Sequence, residues 1–259
     1  MRLVPISSSS KGNAYVVEHD GRALLIDCGV PLKAIEERCG EAGVEARSIE
    51  GVLVTHNHSD HISGLQPFLR RYDVPVYANA LTADAVAAAT RLDAGAFAIF
   101  ENDQEFEAGG FSVRPFSIPH DTPDPVGYLV STTERTYFHG TDMGSPLESV
   151  GRMFSHADEA TLESNHDVEL LLGSARSEML KRRILGPRGH LSNDDAADFA
   201  VQYASVRLKR LHLAHLSGEC NVPRVALKTM VEALARAGRA DIEVDVIGQG
   251  HSPDCGNMI

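Results

Sequence analysis

Residues 53 to 61, LVTHNHSDH, set three histidines and an aspartate within six positions. Neutral imidazole and carboxylate are the donors that divalent zinc, manganese or iron accept. The alternation of His56 and His58 lets both rings leave one backbone segment on the same side. Asp60 and His61 stand where the chain turns into a helix and can address a second point. One loop cannot close two sites, so distant residues have to complete them. His or Asp residues just beyond an apolar strand are the candidates. Three fit: His120 in SIPHD, Asp142 in FHGTDMG and His215 in LAHLS.

The elements that must position these residues follow from periodicity and turn chemistry. RLVPI, NAYVVEHD and RALLIDCG read as strands, with Asp20-Gly21 as a hairpin turn between the last two. PLKAIEERCGEAG has helical spacing and a glycine stop. IEGVLVT is a buried strand that delivers the histidine cluster. HISGLQPFLRRYD is expected to be helical despite Pro67, VPVYAN a strand, and ALTADAVAAATRLD a helix capped by Thr82. QEFEAGGFSVRPFSIPH reads as a hairpin, and VGYLVSTTERTYFHGTDMG as two strands around a polar turn. SPLESVGRMFSHAD is expected to be helical and EATLESNHD a strand. A helix is expected from Glu169 to Leu185, and another over LSNDDAADFAVQYAS with an Asn/Asp cap. LKRLHLAHLS, VPRVALKTMVEALARAG and DIEVDVIGQG close the chain as strand, helix and strand. Two strand-rich blocks, each followed by helix, predict two sheets face to face with helices outside, an αββα four-layer sandwich. We expect one domain over 1–259, a length at which one core is still sustained.

The balance of residue types limits the function. The 43% hydrophobic and 23% charged content is ordinary for a globular protein. Nothing approaches the ~18 apolar residues of a membrane span, and the N-terminus lacks a signal-peptide core, so a soluble cytoplasmic protein is expected. Cys28, Cys39, Cys220 and Cys255 are scattered, which indicates neither a disulfide framework nor a thiolate zinc site. A net charge of −12 weighs against indiscriminate nucleic-acid binding but leaves room for a local basic groove.

The ligand pattern His-x-His-x-Asp-His, followed by His120, Asp142 and His215, resembles the metallo-β-lactamase superfamily over the whole chain. LLIDCG matches an early Asp-x-Gly strand end of that superfamily. ISSSSKGNAYVV, THNHSDHISGL, ESNHD, GPRGHLSN and LAHLSGECN resemble its YycJ/WalJ branch of DNA exonucleases. Met143 and Ser164 depart from that branch, which usually has Thr and Ala there; neither is a ligand. The resemblance implies two divalent metal ions, zinc or manganese first and iron also acceptable. Metal 1 would take His56, His58 and His120. Metal 2 would take Asp60, His61 and His215, and Asp142 would bridge. The paired metals would acidify a shared water, so that a metal-bridged hydroxide attacks the substrate. True β-lactamases use a cysteine at metal 2. No cysteine matches that position here, which favours phosphodiesterases and nucleases.

Several residues carry two readings. His190, in the turn of GPRGHLSN, either stabilises or protonates the reacting phosphate or hydrogen-bonds its own turn. It is grouped with Asp60 as a catalytic candidate. Lys181, Arg182, Arg183 and Arg188 either neutralise a helix C-terminus or bind phosphate, with Arg188 best placed to reach the site. SSSSKGNA is either a polar turn or a loop that turns Asn13 toward substrate. Asp27 and His166 are expected to orient ligands by hydrogen bonds. His139 and His212 are expected to pack in strands, and His19 and His156 to be ordinary surface or core residues. His251 is unassigned. The leading function is a metal-dependent phosphodiesterase acting on nucleic acid, chiefly a DNA exonuclease. The alternatives are a small-molecule hydrolase (cyclic phosphodiesterase, lactonase or thioesterase) on the same site, and a non-catalytic metal-binding module. The last is disfavoured because no ligand is missing. Any duplex would be held by the domain itself or by a homo-oligomer.

Overall fold

Strands buried on both faces build the architecture, and a computed structural model describes it for residues 1–248. Cys255 and the tail around His251 lie outside the described residues. The first sheet runs in chain order through β1 (Arg2–Ser7), β2 (Ala14–His19), β3 (Arg22–Ile26), β4 (Ile49–Leu53), β5 (Val76–Ala78) and β6 (Phe97–Ile99). The second holds β7 (Phe106–Ala108), β8 (Phe111–Ser117), β9 (Val126–Ser131), β10 (Thr136–Gly140), β11 (Glu159–Glu163), β12 (Arg210–Ala214) and β13 (Glu243–Val246) in the same manner. Each sheet starts antiparallel and becomes parallel, from β3–β4 in the first and β10–β11 in the second.

Alternate residues of each strand serve different layers. Tyr15, Val17, Leu24, Ile26 and Leu53 face Phe111, Val113, Tyr128, Val130 and Tyr137 between the sheets. On the outer face of the first sheet, Val16, Leu25 and Val52 pack under α1 (Leu32–Glu41), α3 (Leu65–Tyr72) and α4 (Ala80–Thr90) through Ile35, Phe68 and Val86. On the outer face of the second, Phe138, Leu162 and Leu213 pack under α5 (Glu148–Phe154), α8 (Asn193–Tyr203) and α9 (Pro223–Arg236) through Phe154, Phe199 and Met230. The result is the αββα sandwich that the block pattern predicts. The short helices α2 (Ser59–Ile62), α6 (Val168–Gly173) and α7 (Glu178–Ile184) lie near the site.

Local chemistry moves several boundaries. The stretch from Ser59 to Tyr72 is two helices, α2 and α3, with Pro67 in the first turn of α3, where its missing N–H costs no helical bond. The helix expected from Glu169 to Leu185 is broken between Gly173 and Ser177, whose side chain accepts from Leu180 N and opens α7. The cap of α4 is Asn79, which accepts from the Thr82 backbone, not Thr82 itself. Ser192, in a capping box with Asp195, starts α8, so the Asn/Asp pair lies inside the helix. β6 has no counterpart in the sequence reading; three partly exposed residues are too few to show alternation.

Candidate metal centre

The histidine loop leaves β4 and is clamped from below. Cys28 N donates to His61 O at 2.7 Å, Gly64 N to Cys28 O at 2.8 Å, and Asn13 N to Asp60 O at 2.8 Å. The approach is so close that a Cβ on Gly29 would lie 1.6 Å from Asp60 O, and one on Gly64 1.9 Å from Val30 O. Only glycine allows this packing. Asp27 then fixes the loop's side chains. It accepts from Thr55 N at 2.9 Å and Thr55 Oγ1 at 2.8 Å, and its Oδ2 lies 2.7 Å from His61 Nδ1.

The remaining donors come from the ends of strands in the second sheet. Asp142 follows β10, His215 follows β12, and His120 lies between β8 and β9. Asp27, Asp142 and His215 all adopt left-handed backbone, with φ of 57°, 58° and 56°. That conformation costs a non-glycine residue energy and collects where geometry matters more than local comfort. His56 Nε2 is 3.1 Å from His58 Nδ1, which is 3.4 Å from His120 Nε2. Asp142 sits among both groups of donors: Oδ1 is 3.6 Å from His120 Nε2 and 3.6 Å from His215 Nε2, and Oδ2 is 3.4 Å from His61 Nε2. His61 and His215 Nε2 lie 3.5 and 3.8 Å from Asp60 Oδ2.

Divalent ions fit this donor set. His56, His58 and His120 form one cluster of potential ligand atoms; Asp60, His61 and His215 form another, and in each the atoms lie within 4.8 Å of one another. Asp142 Oδ2 and His215 Nε2 are buried with no hydrogen-bond partner among the described residues. Buried polar atoms are normally satisfied, so these two orphans call for a further partner, a role that an ion among the clustered donors fits. Burial, backed by the neighbouring His61, holds the His56 ring well below its usual pKa and keeps it a neutral donor. Burial alone would raise Asp142, but His215, His61 and His56 hold its carboxyl well below the usual range. Burial also opposes charging His61, yet Asp27 and Asp142 raise it to about 9. A carboxylate-rich pocket of this kind welcomes positive charge.

A cleft of about 290 Å³ opens over the donors, lined by Asp60, His120, Asp142 and His215 and by His190, Arg176, Arg183 and Arg188. His190 Nδ1 is 2.8 Å from Glu163 Oε1 and 3.8 Å from Asp142 Oδ1. Arg183 Nε donates to Asp121 at 2.6 Å, and Arg182 lies outside the lining. Lys181 is buried and donates to Leu172 O and Glu178, so it is no part of a basic track. Asn13 is fully buried and does not face the cleft: its Nδ2 reaches Asp60 Oδ2 at 3.2 Å and His61 Nε2 at 3.1 Å. The His166 ring makes no hydrogen bond to any ligand; neither nitrogen has a partner among the described residues. The histidine-orienting contact expected of it belongs instead to Glu163, which sequence reasoning missed. Glu163 ends β11, is fully buried, and meets both His190 Nδ1 and His215 Nδ1, the latter at 2.9 Å. It also accepts from Met143 N and Leu191 N. Burial raises its carboxyl, but His190 and His215 outweigh this and lower it to about 2. The available signal is the glutamate that ends the strand EATLE, directly before the polar segment SNHD.

The family model described as the metallo-beta-lactamase superfamily matches residues 10–176. The chain is 32% identical over 252 residues to exodeoxyribonuclease WalJ of Streptococcus pneumoniae, covering 96% of this chain and 93% of that protein. It is 34% identical to exodeoxyribonuclease YycJ of Bacillus anthracis, covering 90% and 89%. The crystal structure of the metallo-beta-lactamase fold protein YhfI from Bacillus subtilis superimposes with a TM-score of 0.71 at 18% identity, covering 96% and 97%, a likeness of fold.

Proposed function

The chain belongs to the metallo-beta-lactamase superfamily and to the group within it that contains WalJ and YycJ, and on that premise we propose that it is a metal-dependent DNA exonuclease. The observation that carries the reading is one cleft in which two clusters of metal donors, a carboxylate-held histidine and three guanidinium groups converge. His56, His58 and His120 would hold one divalent ion, Asp60, His61 and His215 the second, and Asp142 both. When bound, such a pair acidifies water and neutralises phosphodiester charge. Zinc or manganese suits the donors best, and iron is also accepted.

The chain's own groups do the rest. Glu163 takes the Nδ1 side of His190, which fixes the ring and leaves Nε2 to carry a proton toward the leaving oxygen. The same carboxylate sets the angle of His215. Arg188 and Arg183 supply guanidinium forks for phosphate oxygens beside the donors, and Arg182 extends the positive charge outside the cleft. Asn13 holds Asp60 and His61 in place. The protein acts as one domain, alone or as a homo-oligomer. Among the described residues no helix is long and apolar enough to cross a membrane; a cytoplasmic site of action is part of this proposal. The small volume of the cleft favours one second reading, hydrolysis of a small phosphodiester.

The test is metal analysis together with cleavage of end-labelled duplex and single-stranded DNA and RNA, beside bis-p-nitrophenyl phosphate. Stepwise release of nucleotides from DNA ends, with closed circular DNA left intact, is expected. Cleavage of the small diester with no action on DNA would install the second reading.

A further inference from the structure

The row of metal donors has two ends, and a different arginine guards each. At the first, Asp121 Oδ1 lies 3.8 Å from His58 Nε2 and 3.5 Å from His120 Nε2, and the same carboxylate receives Arg183. At the second, Arg176 Nη2 donates to Ser217 Oγ at 3.4 Å, two residues beyond His215, and Arg176 Nε reaches Glu219 at 3.0 Å. Both arginines line the cleft. Between them runs α7, from its Ser177 cap to Ile184. At ~1.5 Å of rise per residue that span is about 10 Å. Neighbouring phosphates on one DNA strand follow each other at ~3.4 Å along the axis, so a strand laid along α7 carries phosphates past both arginines.

Arg176 is built to hold an anion in a set place. Its side chain is 24% exposed. Two of its nitrogens are engaged by Glu219 and Ser217, which fixes the plane of the guanidinium and leaves Nη1 without a partner among the described residues. Ser217 is buried, and its oxygen accepts from Arg176 and from Cys220 N at 3.2 Å, so the hydroxyl proton remains to be donated. Glu219 is largely exposed, which weakens its repulsion of an anion through solvent screening. Leu180 and Ile184 form an apolar wall between the two cationic ends, suited to a sugar or base rather than to a phosphate.

Resting on the nuclease reading above, we propose that Arg176 and Ser217 form a subsite for a non-scissile phosphate of the DNA strand, on the His215 side of the metal donors. Arg183 and Arg188 then meet phosphate on the other side, and the strand lies along α7. A chain of phosphates engages both ends of the cleft at once, which favours it over an isolated diester. It accounts for an arginine that belongs to no part of the 181–188 basic run.

The experiment compares wild type, Arg176→Ala, Arg176→Lys and Glu219→Gln. Affinity for a fluorescent DNA duplex is measured by anisotropy across a salt series, and kcat/KM on duplex DNA and on bis-p-nitrophenyl phosphate. Arg176→Ala should weaken DNA binding about tenfold or more and flatten the log affinity against log salt slope by about 0.9, one phosphate contact. Its loss in kcat/KM should be at least tenfold greater on DNA than on the small diester, and Arg176→Lys should recover part of it. Glu219→Gln keeps the guanidinium and removes a negative charge, so it should bind DNA at least as tightly as wild type. Equal losses in Arg176→Ala and Glu219→Gln would mean a purely structural ion pair and overturn the subsite, as would an unchanged salt slope. If Arg176→Ala does not fold, Arg176→Lys and Glu219→Gln carry the same comparison. A wild-type protein that cleaves the small diester and neither binds nor cuts DNA would remove the nuclease reading itself. A wild type that cuts DNA beside an unaffected Arg176→Ala removes only the subsite.

Discussion

Asp142 is buried among His215, His61 and His56, which hold its carboxyl charged. It lies between the two clusters of donors, in left-handed backbone, with one oxygen unsatisfied. On the two-ion assignment proposed above, removing it takes away the charge that would space the cations. Asp142→Ala should lose both metals, measured by plasma emission on dialysed protein, whereas His215→Ala should mainly weaken one. Full occupancy in Asp142→Ala would contradict a bridging role. His190 and Glu163 form a second unit. His190→Ala should keep both metals and lose about 10²–10⁴-fold in turnover, the range of a general acid or base. Glu163→Gln touches His215, a proposed ligand, as well as His190. It should lose about 10–100-fold in both activity and metal affinity, as partners of ligating histidines do. Metal loss in His190→Ala would identify that residue as a ligand instead.

The parallel strands β11, β12 and β13 are tied together through His212, the middle residue of β12. His212 in β12 is paired by register with Thr161 and Asp245. Its Nδ1 is 2.7 Å from Asp245 Oδ1 and its Nε2 2.9 Å from Glu159 Oε1. Burial opposes the charge, but the hydrogen bonds to Asp245 and Glu159 prevail and raise the imidazole to about 9. A folded-state pKa above the unfolded value stabilises the fold fully below the unfolded value of 6.5 and ceases to do so as pH rises through 9. Thermal stability should therefore decline from pH 6.5 to 9 at fixed ionic strength. His212→Gln should be less stable at pH 6.5 and show a flatter profile over that window. A parallel decline in both proteins would mean that other groups govern it. His212 thus packs within its strand, as its apolar neighbours suggest, but as an ion-paired clasp rather than an apolar one.

The whole molecule is acidic, with a net charge of −12, yet three arginines gather at one cleft. Long-range steering of DNA is therefore unfavourable, and binding must come from short-range contacts, which salt screens steeply. Three phosphate contacts at about −0.9 each give a slope of about −2.7, or roughly a 40-fold loss of duplex affinity between 50 and 200 mM salt. Anisotropy across that range checks this. A slope near zero would mean that the cleft does not hold a phosphate chain. Charge reversal at Arg182 and Arg183 should depress cleavage of DNA more than of bis-p-nitrophenyl phosphate.

The spacing of His56, His58, Asp60 and His61 identifies metal-ligand chemistry without any structure, because those donors are neighbours in the chain. The layered architecture is equally legible, since short apolar runs bounded by turn residues and helical spacing are local properties that mark each element. Asp20-Gly21 marks its hairpin for the same reason, both residues taking positive φ. Other features required the tertiary structure. Glu163 becomes a partner of His190 and His215 only when the ends of β11 and β12 meet the turn before α8, and its sequence neighbours give no hint of the 27 and 52 positions that separate it from them. Asn13 lies in a stretch that reads equally well as a polar turn, yet folding buries it against Asp60 and His61. Lys181 shares a basic run with Arg183, but helix phase turns it into the protein while Arg183 enters the cleft. Which side chain faces a site depends on contacts between segments far apart in the chain, and those are set by packing rather than by local preference.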